Sequence, residues 1–176
     1  MKNEDFHQVN EKELMDFYNL NGNFGRLKLR FMFLKSWLLH TLSYSNPIPE
    51  LVVKFQKDRG VNIGKNCHIS PYVLFDLIYP NQITIEDNVT IGSNTMIYAH
   101  VNPTSSQFLK THGYARKVES VLIKENTSVS SGCIITAGTI IGKNCIIGAG
   151  SVVSTTIPDN SVVLGNPARV IKKIEP

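Results

Sequence analysis

The chain has 176 residues, 42% of them hydrophobic and 18% charged, which is enough apolar material for one domain with a small appendage and too little charge for a disordered chain. A net charge of +4 without a dense Lys/Arg run suits anionic ligands and argues against nucleic-acid binding. No apolar run reaches about 18 residues, Met1–Asp5 does not open a signal peptide, and three cysteines without Cys-x-x-Cys argue against a disulfide scaffold or zinc finger, so a cytoplasmic protein is expected.

Residues 1–60 are expected to form a helical cap segment. Asp5 to Leu20 reads as a short helix. Phe24 to Leu42 mixes Phe, Leu, Met and Trp37 with Arg26, Lys28, Arg30 and Lys35, a basic amphipathic helix. Its first role would be to cover the open end of a sheet; the alternative is contact with a membrane surface or an acidic partner. Pro47 and Pro49 are expected to end this segment, and Leu51–Phe55 to lead onward. His7 and His40 carry no site signal.

From residue 61 a period of six appears. Ile63, Ile69 and Phe75; Ile85, Ile91 and Ile97; Ile123, Val129 and Ile135; and Ile141, Ile147 and Val153 form four trios, and eleven of the twelve are Ile or Val. Two positions before each sits a residue that is mostly small or β-branched, and all three cysteines fall in that class, as small buried hydrophobes would. Three positions after each, Asn or Gly fills eight of twelve slots, and these two tolerate positive φ best. Each repeat is therefore a short strand and a sharp corner. Three corners close a coil of 18 residues, and successive coils stack as parallel strands about 4.8 Å apart. The repeat is assigned to 61–157.

The period breaks twice. Phe75 to Ile85 is ten residues and Ile97 to Ile123 is twenty-six. Both detours follow the third corner, so a short bulge and a loop over 98–120 should stand side by side, and long loops in repeat proteins are commonly functional. Asp76 follows Phe75, and His100 occupies a corner slot mostly given to Asn or Gly, so the two are expected to converge. His112 reads as a loop residue and His68 as an outward-facing one. The polar loop residues Asn102, Ser105, Ser106, Gln107, Lys110, Tyr114 and Arg116 would cover an acceptor.

These hexapeptides resemble the left-handed parallel β-helix transferases, and left-handed coiling is implied by that resemblance alone, since it runs against the usual crossover preference. Ile147-Gly148-Ala149-Gly150-Ser151-Val152-Val153, with Gly165-Asn166-Pro167-Ala168-Arg169 further on, is similar to the last coil and tail of the maltose and galactoside acetyltransferases. The expected fold is an all-β solenoid with an N-terminal helical segment, and 158–176 forms a C-terminal cap and tail. The chain departs from the family's pattern at Tyr98-Ala99-His100-Val101-Asn102-Pro103, where a Thr-His-Pro or His-Asp-His segment is usual, and at Ser128, where tryptophan is common.

The resemblance implies acetyl transfer from acetyl-CoA to a hydroxyl of a saccharide, without a metal. An alcohol needs a base as it attacks a thioester, and an imidazole suits that task. His100 would remove the proton, while Asp76 would bind acceptor hydroxyls or orient the ring. Cys133 and Cys145, facing inward, would be poor acyl carriers. Similar enzymes are homotrimers with sites between subunits. There the pantetheine arm would pass Ala137, Gly138, Ala149, Gly150 and Ser151, and Arg169, Lys172 and Lys173 would meet the phosphates. Two rival readings are a non-catalytic trimeric scaffold and a zinc hydratase of the γ-carbonic-anhydrase type using His68, His100 and His112. The second lacks the close histidine pair it needs.

Overall fold

The computed structural model of the protein describes residues 5–102 and 106–175. Three helices come first: α1 (Phe6–Phe17), α2 (Gly22–Tyr44) and α3 (Pro49–Arg59). Asp5 caps α1 by accepting the His7 N–H at 3.1 Å. The third helix corrects the expectation for 47–55. Pro49 sits in the first turn of α3, where its missing N–H costs nothing, and Gly60 ends the helix in a left-handed conformation at φ 113°.

Four coils follow. The first holds β1 (Asn62–Ile63), β2 (His68–Ile69) and β3 (Leu74–Phe75). The second holds β4 (Ile83–Ile85), β5 (Thr90–Ile91) and β6 (Met96–Ile97). The chain then leaves as β7 (His100–Val101), α4 (Gln107–Thr111) and β8 (Lys117–Val118), with β7 and β8 paired antiparallel. It returns as β9 (Val121–Ile123), β10 (Ser128–Val129) and β11 (Ile134–Ile135), then β12 (Ile140–Ile141), β13 (Ile146–Ile147) and β14 (Val152–Val153). The first, second and third strands of each coil build three separate parallel sheets. Ile63, Ile85, Ile123 and Ile141 share one register row, Ile69, Ile91, Val129 and Ile147 another, and Phe75, Ile97, Ile135 and Val153 the third. The second sheet continues past residue 157 with β15 (Ser161–Leu164), parallel to β13, on which β16 (Arg169–Lys173) folds back antiparallel.

All twelve register residues are buried, as are eleven of the twelve two positions earlier, Cys67 being half-buried. All eight Asn and Gly corners take positive φ. At the first corner the asparagines form a ladder: each side-chain amide donates to the next carbonyl from Asn66 through Asn88, Asn126 and Asn144 to Asn160, at 2.9–3.2 Å. Tyr72 also turns left-handed (φ 64°), where its N–H meets the Tyr44 carbonyl at the end of α2. That contact with the cap is what holds a bulky residue in a corner costing about 1 kcal/mol or more.

Candidate active site

Asp76 and His100 sit where the two detours leave the third sheet. Phe75 and Ile97 are register partners, so the residues just beyond them lie one coil apart. His100 begins β7 instead of turning a corner, and pairing with Val118 turns the chain outward there. The ring is held with 18% of its side chain exposed, and its Nδ1 lies 2.5 Å from Asp76 Oδ2.

The Asp76 carboxylate is fully buried. Its Oδ1 accepts the N–H groups of Ile78 and Tyr79 at 2.9 and 3.0 Å, and Oδ2 also accepts the Ala99 N–H at 2.9 Å. Burial pushes the carboxyl up, but the His100 bond and the Tyr79 and Ala99 N–H groups outweigh it and hold Asp76 below the ordinary range. An ionised carboxylate only accepts, so His100 must donate from Nδ1. In the neutral ring the lone pair then lies on the other nitrogen, Nε2, which no described residue hydrogen-bonds. Both Asp76 oxygens are engaged and its side chain has no exposure, so of the two expected roles this geometry fits holding the ring.

Three neighbours escaped the sequence analysis. Buried Arg59, from the end of α3, donates Nη2 to the Asp76 carbonyl at 2.7 Å, Nη1 to Gln56 at 2.6 Å and Nε to Ser36 at 3.2 Å, and lies 3.3 Å from His40 Nδ1. Burial lowers Arg59 to about 10, against the pull of Asp76, and burial beside Arg59 lowers His40 to about 4. The Tyr79 ring packs edge-on to His100, with centroids 5.1 Å apart, and its hydroxyl accepts from Arg116 Nη1 at 2.8 Å. Glu13 of α1 grips the excursion from below, taking Arg116 Nε at 2.8 Å and Lys110 Nζ at 2.5 Å, while Asn10 takes Arg116 Nη2. Lys110 and Arg116 therefore face α1, not an acceptor. Ser105 and Pro103 lie outside the described residues. The signal for Arg59 was its place as the last cation of a helix bounded by Pro49 and Gly60.

The remaining expected residues divide between two edges. Ala137 and Gly138 stand one coil along from His100, on the same corner. Ala149 and Gly150 are exposed on the corner between the second and third sheets, and a Cβ on Gly150 would meet nothing within 4 Å. Ser151 is corrected: its side chain is buried, donating to the Gly148 carbonyl at 2.6 Å and accepting the Gly165 N–H, because it occupies an inward slot of the repeat. Arg169 and Lys172 are exposed on β16, and Lys173 is tied to the Asp159 carbonyl and Ser161. Burial raises the Cys133 and Cys145 thiols. His68 faces outward on β2, and His112 rests on Phe108 in α4. Among the described residues no group of three or more His, Cys, Asp or Glu could hold a metal ion.

Residues 120–155 match the family model for the bacterial transferase hexapeptide (six repeats), and residues 82–99 that for the hexapeptide repeat of succinyl-transferase. A galactoside O-acetyltransferase of Lactococcus lactis subsp. lactis (strain IL1403) is 33% identical over 145 residues, covering 72% of this chain and 69% of that one. The Bacillus subtilis (strain 168) protein YvoF is 32% identical over 111 residues, 63% of this chain, and the chain spans 59% of that relative's length. A galactoside acetyltransferase solved in complex with coenzyme A superposes with a TM-score of 0.62 at 26% identity, covering 84% of this chain and 82% of that one.

Proposed function

We infer that this chain, which belongs to the hexapeptide-repeat acetyltransferase family, transfers an acetyl group from acetyl-CoA to a hydroxyl of a saccharide with His100 as general base. The observation that carries this reading is the 2.5 Å contact between His100 Nδ1 and a buried, ionised Asp76, which leaves Nε2 as a proton acceptor at a half-exposed edge. The galactoside substrate of the Lactococcus relative and the polar loop beside His100 support a saccharide.

Acetyl-CoA supplies the activated acyl group. His100 Nε2 takes the proton of the acceptor hydroxyl as its oxygen bonds to the acyl carbon, and afterwards gives it to the departing sulfur, so no proton is left unaccounted for. Asp76 holds the ring in the required tautomer and offsets the charge that His100 gains. The small exposed residues Ala149 and Gly150 leave room for a pantetheine arm, and Arg169 and Lys172 offer cations for phosphates. On one protomer the third sheet separates this edge from the His100 edge. A site drawing on both therefore joins adjacent protomers, which supports a homotrimer of left-handed parallel β-helices. No helix among the described residues is long and apolar enough to cross a membrane, and a reaction fed by acetyl-CoA suits the cytoplasm.

The test is acetyl-CoA consumption with a panel of galactosides and other saccharides. His100→Ala is expected to lower kcat about 10²–10⁴-fold with the oligomer and melting temperature unchanged. Undiminished turnover in that variant would remove His100 as the base.

A further inference from the structure

Helix α2 has a buried, partly polar face and an exposed apolar one, and among the described residues the second packs against nothing. Gly25, Leu29, Ser36, His40 and Ser43 are buried against the rest of the protein. At about 100° per residue, Phe24, Leu27, Phe31, Leu34, Leu38 and Leu42 fall within an arc of about 80° on the opposite side. Phe24 is 80% exposed and Phe31 62%. Lys28 and Lys35 flank this stripe on one side, Arg26 and Arg30 on the other. Trp37, 55% exposed, falls in the arginine row, between the angles of Arg26 and Arg30.

We propose that α2 docks this stripe into an anionic lipid surface. Charge decides the occupant. Between Gly22 and Tyr44 there are four Lys and Arg and no Asp or Glu. One neighbouring acid answers them: Glu11 of α1, 2.8 Å from Arg26 and 3.9 Å from Arg30. Two copies packed stripe to stripe would bring cation rows together, whereas a surface of anionic headgroups matches both rows as the apolar side chains sink between them. A tryptophan in the arginine row would sit at the level of the headgroups, as an interfacial anchor does. The docking is independent of the acetyl-transfer reading.

Trp37 is the sole tryptophan, so its emission reports the contact directly. The intact protein would be titrated with vesicles of phosphatidylcholine alone, and of phosphatidylcholine with phosphatidylglycerol, and then sedimented. Anionic vesicles are expected to shift the emission to the blue and pull the protein down, while zwitterionic vesicles leave it in the supernatant. K28E/K35E should weaken partition about tenfold or more. F31S/L34S, altering only exposed side chains, should abolish it with the circular dichroism melt unchanged. Unmoved emission with anionic vesicles would overturn the proposal and leave a soluble acidic partner as the occupant. Equal vesicle binding by F31S/L34S would overturn it too, as would dissociation of the oligomer in that variant, since the stripe would then be a subunit contact.

Discussion

At the scale of single residues the site turns on Asp76, where burial favours the neutral acid and four donors favour the ion. The donors win, and a depressed folded pKa has a definite sign. It stabilises the protein fully above the unfolded carboxylate's value of about 4 and is lost as pH falls below that. Asp76→Asn retains shape but ends the obligatory Nδ1 donation, so kcat should drop about 10²-fold or more while acetyl-CoA KM stays near its original value. Steady-state kinetics separate the two. His40 runs on a different window. With its folded pKa lowered to about 4, stability is whole above about 6.5 and declines as pH falls between those values, because the unfolded chain takes up the proton first. Urea unfolding at pH 7 and pH 5 should show that decline in the parent and a smaller one in His40→Gln. The pairing of Asp76 with His100 was legible in the sequence because both are fixed offsets from register residues. Arg59 and His40 were not, since their contacts join a helix to a coil and no period links the two.

At the scale of elements the corners carry the pattern. Asn126 adopts φ 59° and passes one hydrogen bond along the ladder from Asn88 to Asn144. Asn126→Ala should cost about 1–2 kcal/mol, from the strained backbone and the broken ladder, and Asn126→Gly less, since glycine accepts the backbone at no steric cost. Thermal melts of both variants rank the two effects. The strands of the four coils are two or three residues long, and their alternation of buried and exposed positions is what the six-residue period records. Helix α3 was misread because two prolines looked like terminators, whereas Pro49 opens a helix and Gly60 closes it. The hold of Glu13 on Lys110 and Arg116 spans about a hundred residues of sequence, a distance that local spacing cannot bridge.

At the scale of the molecule, a stack of short parallel strands makes function a matter of edges. One edge carries the asparagine ladder, one the small residues near β16, and one the imidazole, because only there do both detours leave the stack. Helices α1 and α3 brace that third edge through Glu13 and Arg59, so the cap that closes the first coil also supports the position of His100. Acyl transfer at this edge requires an acceptor hydroxyl at His100 Nε2. The decisive measurement is a crystal structure with coenzyme A and a saccharide bound together. A saccharide oxygen within about 3.2 Å of Nε2, with the coenzyme's sulfur facing the same oxygen, is the expected result. A saccharide bound on another edge, with Nε2 facing only solvent, would contradict it.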